Sequence, residues 1–155
     1  MRTLIVQGLC LDNIPPGELK KFWKPCMNSV RHWADEKEFD YKFFDAPIDN
    51  SFDISDWDIV PIDGRQQLTQ NQFYKFQWMN GWSDYDRIYW IDSDCYIFGL
   101  PRIFTTGNTP EEVVNFLSTH QIVLSRWARP CMSTWGGSQS EVQKIIDWAR
   151  FQFEH

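Results

Sequence analysis

Residues 87–91, Arg-Ile-Tyr-Trp-Ile, run directly into Asp92-Ser93-Asp94, and this junction constrains the fold more than any other segment. A strand-length run that is apolar at successive rather than alternate positions cannot leave one face in water. It is the pattern of a central strand covered on both faces. The rest of the chain supplies the cover. Leu4–Leu9 is a short apolar run ahead of a Pro-Pro-Gly break at 15–17 and reads as a first strand. A helix is predicted from Pro25, because Pro is accepted at a first helical position and Met27, Val30, Trp33 and Ala34 then share a face. Tyr41–Phe44 reads as a second strand. Residues 49–63, rich in Asp and Ser, read as a loop with a short extended piece over 57–62.

Gln66–Trp82 is predicted helical, with Tyr74, Trp78 and Trp82 at spacings of four and Phe73, Phe76 and Met79 at spacings of three. Thr109-Pro110-Glu111-Glu112 has the signature of a helix start, continued by Val113, Val114 and Leu117. Gln121–Ser125 reads as a strand. A last helix is expected from Ser138, with Glu141 completing a capping box and Val142, Ile145, Ile146, Ala149 and Phe153 forming its stripe. Strands alternating with helices predict an α/β fold with a mostly parallel sheet. With no repeat or low-complexity linker, residues 1–155 are expected to form one domain.

Composition narrows the partners. A net charge of −6 and a pI near 5.0 provide no basic face for a nucleic-acid backbone. Aromatic residues make up 17% of the chain, and most are expected in the core, where they bury the largest area per residue. The cysteines at 10, 26, 95 and 131 include no CxxC pair, so neither a structural zinc site nor a disulfide framework is indicated. The N-terminal apolar run is too brief for a signal peptide or a membrane span, and the protein is expected to be cytoplasmic.

In open α/β sheets ligands sit outside the carboxyl ends of strands, which is where Asp92 and Asp94 fall. Two carboxylates one residue apart can turn toward one point and offer hard oxygen ligands to Mg²⁺ or Mn²⁺, with a diphosphate completing the coordination. An acidic chain would then receive an anion through a metal instead of a basic patch. The competing structural reading is a solvated Asp-Ser-Asp turn.

Asn71-Gln72-Phe73-Tyr74-Lys75-Phe76, followed by Tyr85-Asp86-Arg87-Ile88-Tyr89-Trp90-Ile91-Asp92-Ser93-Asp94, resembles the GT-A-fold glycosyltransferases, in which a helix carrying a basic residue leads into an apolar strand and an Asp-x-Asp motif. Trp33-Ala34 through Phe39-Asp40-Tyr41 resembles the family's first helix and second strand. Ser133-Thr134-Trp135-Gly136-Gly137-Ser138 is similar to its Gly-containing segment before a helix. The resemblance implies a Rossmann-like GT-A-type α/β/α sandwich and a hexosyltransferase-like, metal-dependent activity. The sugar would pass from a nucleotide diphosphate donor of UDP or GDP type to a hydroxyl acceptor. It implies Mn²⁺ or Mg²⁺ on Asp92 and Asp94, with Asp92 also reaching the ribose or sugar. Lys75 would touch the donor's phosphate or sugar, and Gly136 and Gly137 would let backbone approach the sugar.

Departures from the family pattern are also visible. Members usually run well beyond 155 residues and often add a third metal ligand, commonly His, in the C-terminal part; here only His120 and His155 stand in that part. Trp135 occupies a position that is often polar. No residue stands out as a catalytic base, Glu141 being accounted for as a cap and Asp147 lying on the same helix. Two other classes therefore stay open: a nucleotide-sugar-binding module without transfer activity, and a phosphatase-type hydrolase with Asp92 as nucleophile and Asp94 as acid/base.

Overall fold

The computed structural model describes residues 1–10, 16–48, 66–97, 122–126 and 130–154. The expected loop at 49–63, the helix start at 109–112 with its continuation to 117, and His120 and His155 lie outside these residues. Strand β1 is Thr3–Gly8. Helix α1, Pro16–Glu18, passes through a π-helical turn, Leu19–Trp23, into α2, Lys24–Glu36. Then come β2 (Asp40–Phe44), α3 (Gln66–Met79), β3 (Arg87–Ile91), β4 (Ile122–Arg126), β5 (Pro130–Ser138) and α4 (Gln139–Glu154).

The strands form one five-stranded sheet in the order β2-β1-β3-β5-β4. β1 pairs parallel with β2 and β3, while β5 runs antiparallel to both β3 and β4. Four strands therefore share a direction and β5 opposes them. The expected α/β fold with a mostly parallel sheet is what the chain adopts. Successive residues of β1 and β3 serve opposite faces. Leu4, Val6, Ile88 and Trp90 pack with Trp78, Met79, Trp135, Val142, Ile146 and Ala149, so α3 and α4 cover that face. Ile5, Tyr89 and Ile91 pack with Val30, Trp33 and Ala34 of α2 on the other. The unbroken apolar run of β3 is thus explained by helices on both sides, each buried aliphatic or aromatic side chain contributing about 1.5–3 kcal/mol.

Several boundaries differ from those the sequence predicts. Helical structure starts at Pro16, not Pro25. Pro16 opens the helix instead of breaking the chain before it, since a Pro at the first helical position gives up only an N–H that has no intrahelical partner anyway. Pro25 follows the π-helical turn, the widened geometry that accommodates a residue lacking an N–H and crowding the preceding turn. Helix α3 stops at Met79, before the predicted Trp82. Gly81, at φ 83°, reverses the chain there, and the Trp82 indole N–H donates to the Trp78 carbonyl at 2.8 Å, capping the helix end. Ser138 is the last residue of β5, and Glu141 pairs with Lys144 Nζ at 2.7 Å. Ser138 thus stands directly before α4, the cap position that the sequence predicts, with Glu141 in the first turn.

Aromatic residues fill the core as composition suggests. Trp78 stacks on Trp90 at 5.8 Å and on Phe44 at 6.0 Å, joining α3, β3 and β2 in one ladder. Among the described residues, no helix is long and apolar enough to cross a membrane.

Candidate functional site

The order β2-β1-β3 has a consequence at the strand ends. The chain leaves β1 for β2 on one side and returns across β1 to β3 on the other, so the sheet has a topological switch point between the carboxyl ends of β1 and β3. Asp92 follows the last residue of β3, and Asp92–Asp94 therefore lies at that point.

Asp92 lies on the same face as Trp90, two positions earlier, beneath α3. Its Oδ1 accepts a short hydrogen bond from the Trp90 indole N–H and lies 3.7 Å from Lys75 Nζ. Lys75 is itself buried, with its ammonium 5.9 Å from the centre of the Trp90 ring. The structure thus brings Lys75 and Asp92 together, as one buried ion pair. Burial pushes the Asp92 carboxyl above the usual carboxylate range and the Asp94 charge adds to this, while Lys75 and the Trp90 N–H oppose it. A carboxylate out of water is costly unless paired, and Lys75 with Trp90 supplies the pairing.

Asp94 differs from its partner in being exposed. Burial, with the Asp94 charge adding to it, raises the Cys26 thiol on α2, and burial together with the Asp94 and Asp92 charges pushes the Cys95 thiol up to about 11. The two acids therefore divide the strand end: Asp92 sits inside beneath α3, and Asp94 sits in solvent within electrostatic reach of α2.

The backbone between them is held by residues that the sequence reading passed over. Gln7, fully buried at the end of β1, donates Nε2–H to the Asp92 carbonyl at 3.1 Å, and its Oε1 accepts from the Tyr41 hydroxyl at 2.9 Å. The buried Ser93 hydroxyl donates to the Gly8 carbonyl at 2.9 Å, and Cys95 N–H closes the turn on the Asp92 carbonyl at 3.0 Å. Their one sequence signal was Gln7, a polar residue inside the apolar run Leu4–Leu9.

Gly136 and Gly137 occupy a different place from the acidic pair. They lie within β5, opposite Tyr89 and Ile88 of β3 on one side and Val123 and Ile122 of β4 on the other. Because β5 is antiparallel, each step toward Ser138 leads away from Asp92. Thr134 and Trp135, facing Ile91 and Trp90, are the β5 residues at the site end. A Cβ on Gly136, whose φ is 157°, would lie 2.2 Å from the Ile88 carbonyl oxygen and 2.7 Å from Tyr89 Cα. The structure explains this glycine by the close approach of β5 to β3.

The carboxylates suit Mg²⁺ or Mn²⁺ in chemistry, since such ions commonly bind through one or two carboxylates plus substrate phosphates. Among the described residues, no three His, Cys, Asp or Glu side chains gather closely enough to hold a metal by themselves.

No known protein family matches the chain, and no curated protein matches it. Among solved structures it is similar to a glycosyltransferase involved in the glycosylation of the major capsid of PBCV-1, with a TM-score of 0.49 and 10% sequence identity. The match covers 97% of this chain and 66% of that one, so this chain spans just under two thirds of that glycosyltransferase's length.

Proposed function

We propose that the chain binds a nucleotide diphosphate sugar at the end of β3 and transfers the sugar to a hydroxyl acceptor. One observation carries this reading: an Asp-x-Asp turn at the switch point of a mostly parallel sheet, with a buried cation from the preceding helix beside its first carboxylate. In this reading Asp94, exposed and at the strand end, is the principal ligand of Mn²⁺ or Mg²⁺, and Asp92 is the second. A bound metal would neutralise charge on the departing diphosphate. Lys75 balances Asp92 in the free protein. Once a cation shares Asp92, the buried Lys75 ammonium adds fixed positive potential on the side from which the diphosphate would be held. Gly136 contributes by letting β5 close against β3, and Gly137 continues that strand, which sets Thr134 and Trp135 at the site end.

Thermal unfolding with UDP or GDP, with Mn²⁺ and then with EDTA, tests the proposal. The expected result is stabilisation by a diphosphate that needs the metal and is lost in Asp94→Ala, whose own fold persists because the side chain is exposed. Metal-dependent stabilisation that survives in Asp94→Ala sinks the site assignment. Absence of any effect from either nucleotide favours a module without this activity, and phosphate monoester hydrolysis abolished by Asp92→Asn favours the hydrolase.

A further inference from the structure

We infer that Gln7 and Tyr41 are positioning residues of the Asp92–Asp94 turn, setting its direction through the main chain without touching the ligand. The inference rests on the reading of that turn as the metal and diphosphate site.

Its basis is where the parallel ladder stops. Backbone pairing of β1 with β3 runs from Thr3↔Arg87 to Val6↔Trp90 and goes no further. Beyond that rung the strands are joined by side chains. Gln7 Nε2–H reaches the Asp92 carbonyl at 3.1 Å, and the Ser93 hydroxyl reaches the Gly8 carbonyl at 2.9 Å. Side-chain bridges thus replace the next backbone rungs, and the Asp92 carbonyl, which also accepts Cys95 N–H, becomes the fixed point about which the turn closes. A fully buried amide in an apolar strand is a poor choice for packing, since Leu would bury the same volume without needing polar partners. Gln7 has both ends engaged: its amide N–H on the turn and its carbonyl on the Tyr41 hydroxyl at 2.9 Å. The Tyr41 bond holds the amide in the orientation that donates to Asp92. With that orientation lost, Asp92 O keeps only the local bond from Cys95, and the Ser93 bridge alone is left to hold Asp94 in register with Asp92.

The test measures free Mn²⁺ by electron paramagnetic resonance in the presence of whichever of UDP or GDP stabilises the wild type. Four variants are compared with it: Gln7→Leu, Tyr41→Phe, the double variant and Asp94→Ala, each shown to be folded by urea unfolding. Gln7→Leu is expected to weaken Mn²⁺ binding by roughly tenfold or more, as outer-shell partners of metal ligands do, and Tyr41→Phe by a smaller factor. The double variant is expected to match Gln7→Leu, because Tyr41 acts only through Gln7. A purely structural role would lower stability and leave the affinity of the folded protein unchanged. Affinity within about twofold of wild type in folded Gln7→Leu, or losses that multiply in the double variant, overturns the inference while leaving the site reading intact. Should Gln7→Leu not fold, Tyr41→Phe, which removes a single oxygen, decides alone, and unchanged affinity there overturns it. Failure of the wild type to bind Mn²⁺, or undiminished binding in Asp94→Ala, brings down the site reading and the inference with it.

Discussion

Asp92, drawn partly out of water, meets its opposing charge in the buried Lys75 ammonium. The Lys75 side chain is 4% exposed and that of Asp92 23%. Lys75→Met would leave Asp92 with the Trp90 N–H but no counter-charge, and its carboxyl, already above the usual range, would move further toward the protonated form. The expected loss is about 3 kcal/mol, the order found when one member of a buried pair is removed. Combining it with Asp92→Asn removes the uncompensated charge and is expected to recover more than half of that loss. Urea unfolding followed by tryptophan fluorescence measures both. A double variant less stable than Lys75→Met would show that the two do not act as a unit. Gly136 poses the opposite problem, one of space. The Ile88 carbonyl that a Cβ would strike belongs to the central strand and cannot yield without disturbing the ladder. Gly136→Ala is therefore expected to destabilise by about 3 kcal/mol or more, at the upper end of overpacking, and a loss below roughly 1 kcal/mol would show that β5 can shift.

The end of α2 shows an element closing without the residue best suited to it. Glu38 has φ 56°, Phe39 N–H bonds back to the Ala34 carbonyl at 2.9 Å, and the Phe39 ring meets Trp33 edge-on at 5.7 Å. This is the left-handed helix stop with its hydrophobic clasp, built on a residue with a Cβ. Glu38→Gly is expected to stabilise the protein by about 1 kcal/mol, read as a higher urea midpoint at unchanged slope, and destabilisation would mean that the Glu38 side chain holds something of its own. Such details mark what the sequence could and could not disclose. β1, β2, β3 and β4 were legible to within a residue or two; β1 and β3 stood out because a strand buried on both faces is a dense apolar run that little else resembles. The buried face of α2 was legible from its spacing, through Val30, Trp33 and Ala34. Its true start was not, because Pro16 opens a helix as readily as it ends a strand connection. β5 was harder still. Ser133–Ser138 carries two glycines and no apolar run, yet it lies within a strand, with Gly136 letting it approach β3. At the site, Asp92 and Asp94 could be found from position alone, and Lys75 from the resemblance. Gln7 showed only as a polar residue in an apolar run, and the parting of β1 from β3 beyond Val6 and Trp90 is what gives its amide a task.

On the scale of the whole molecule, Tyr41 ties three strands together: it lies on β2, bonds Gln7 on β1, and through it reaches the end of β3. Burial pushes its hydroxyl from an ordinary value of 10.0 up to about 12, with Arg31 acting weakly the other way. This gives the fold a defined alkaline limit. Below pH 10 the folded and unfolded chains both hold the phenol proton, and the contribution of Tyr41 is fully present. Between pH 10 and about 12 only the folded chain holds it. Unfolding then releases a proton, and stability falls as pH rises. Allowing for the partial exposure of the ring, the loss is about 1–2 kcal/mol. Tyr41→Phe carries no such proton, but it leaves the buried Gln7 carbonyl without its donor, a deficit of about 1 kcal/mol or more at neutral pH. The two proteins are therefore expected to differ most near pH 8 and to converge by about pH 11, since every other alkaline titration is common to both. Urea midpoints of wild type and variant across that range measure the gap. A gap that stays constant from pH 8 to pH 11 would mean that Tyr41 titrates alike folded and unfolded, and that the bond from β2 to Gln7 is not closed to solvent.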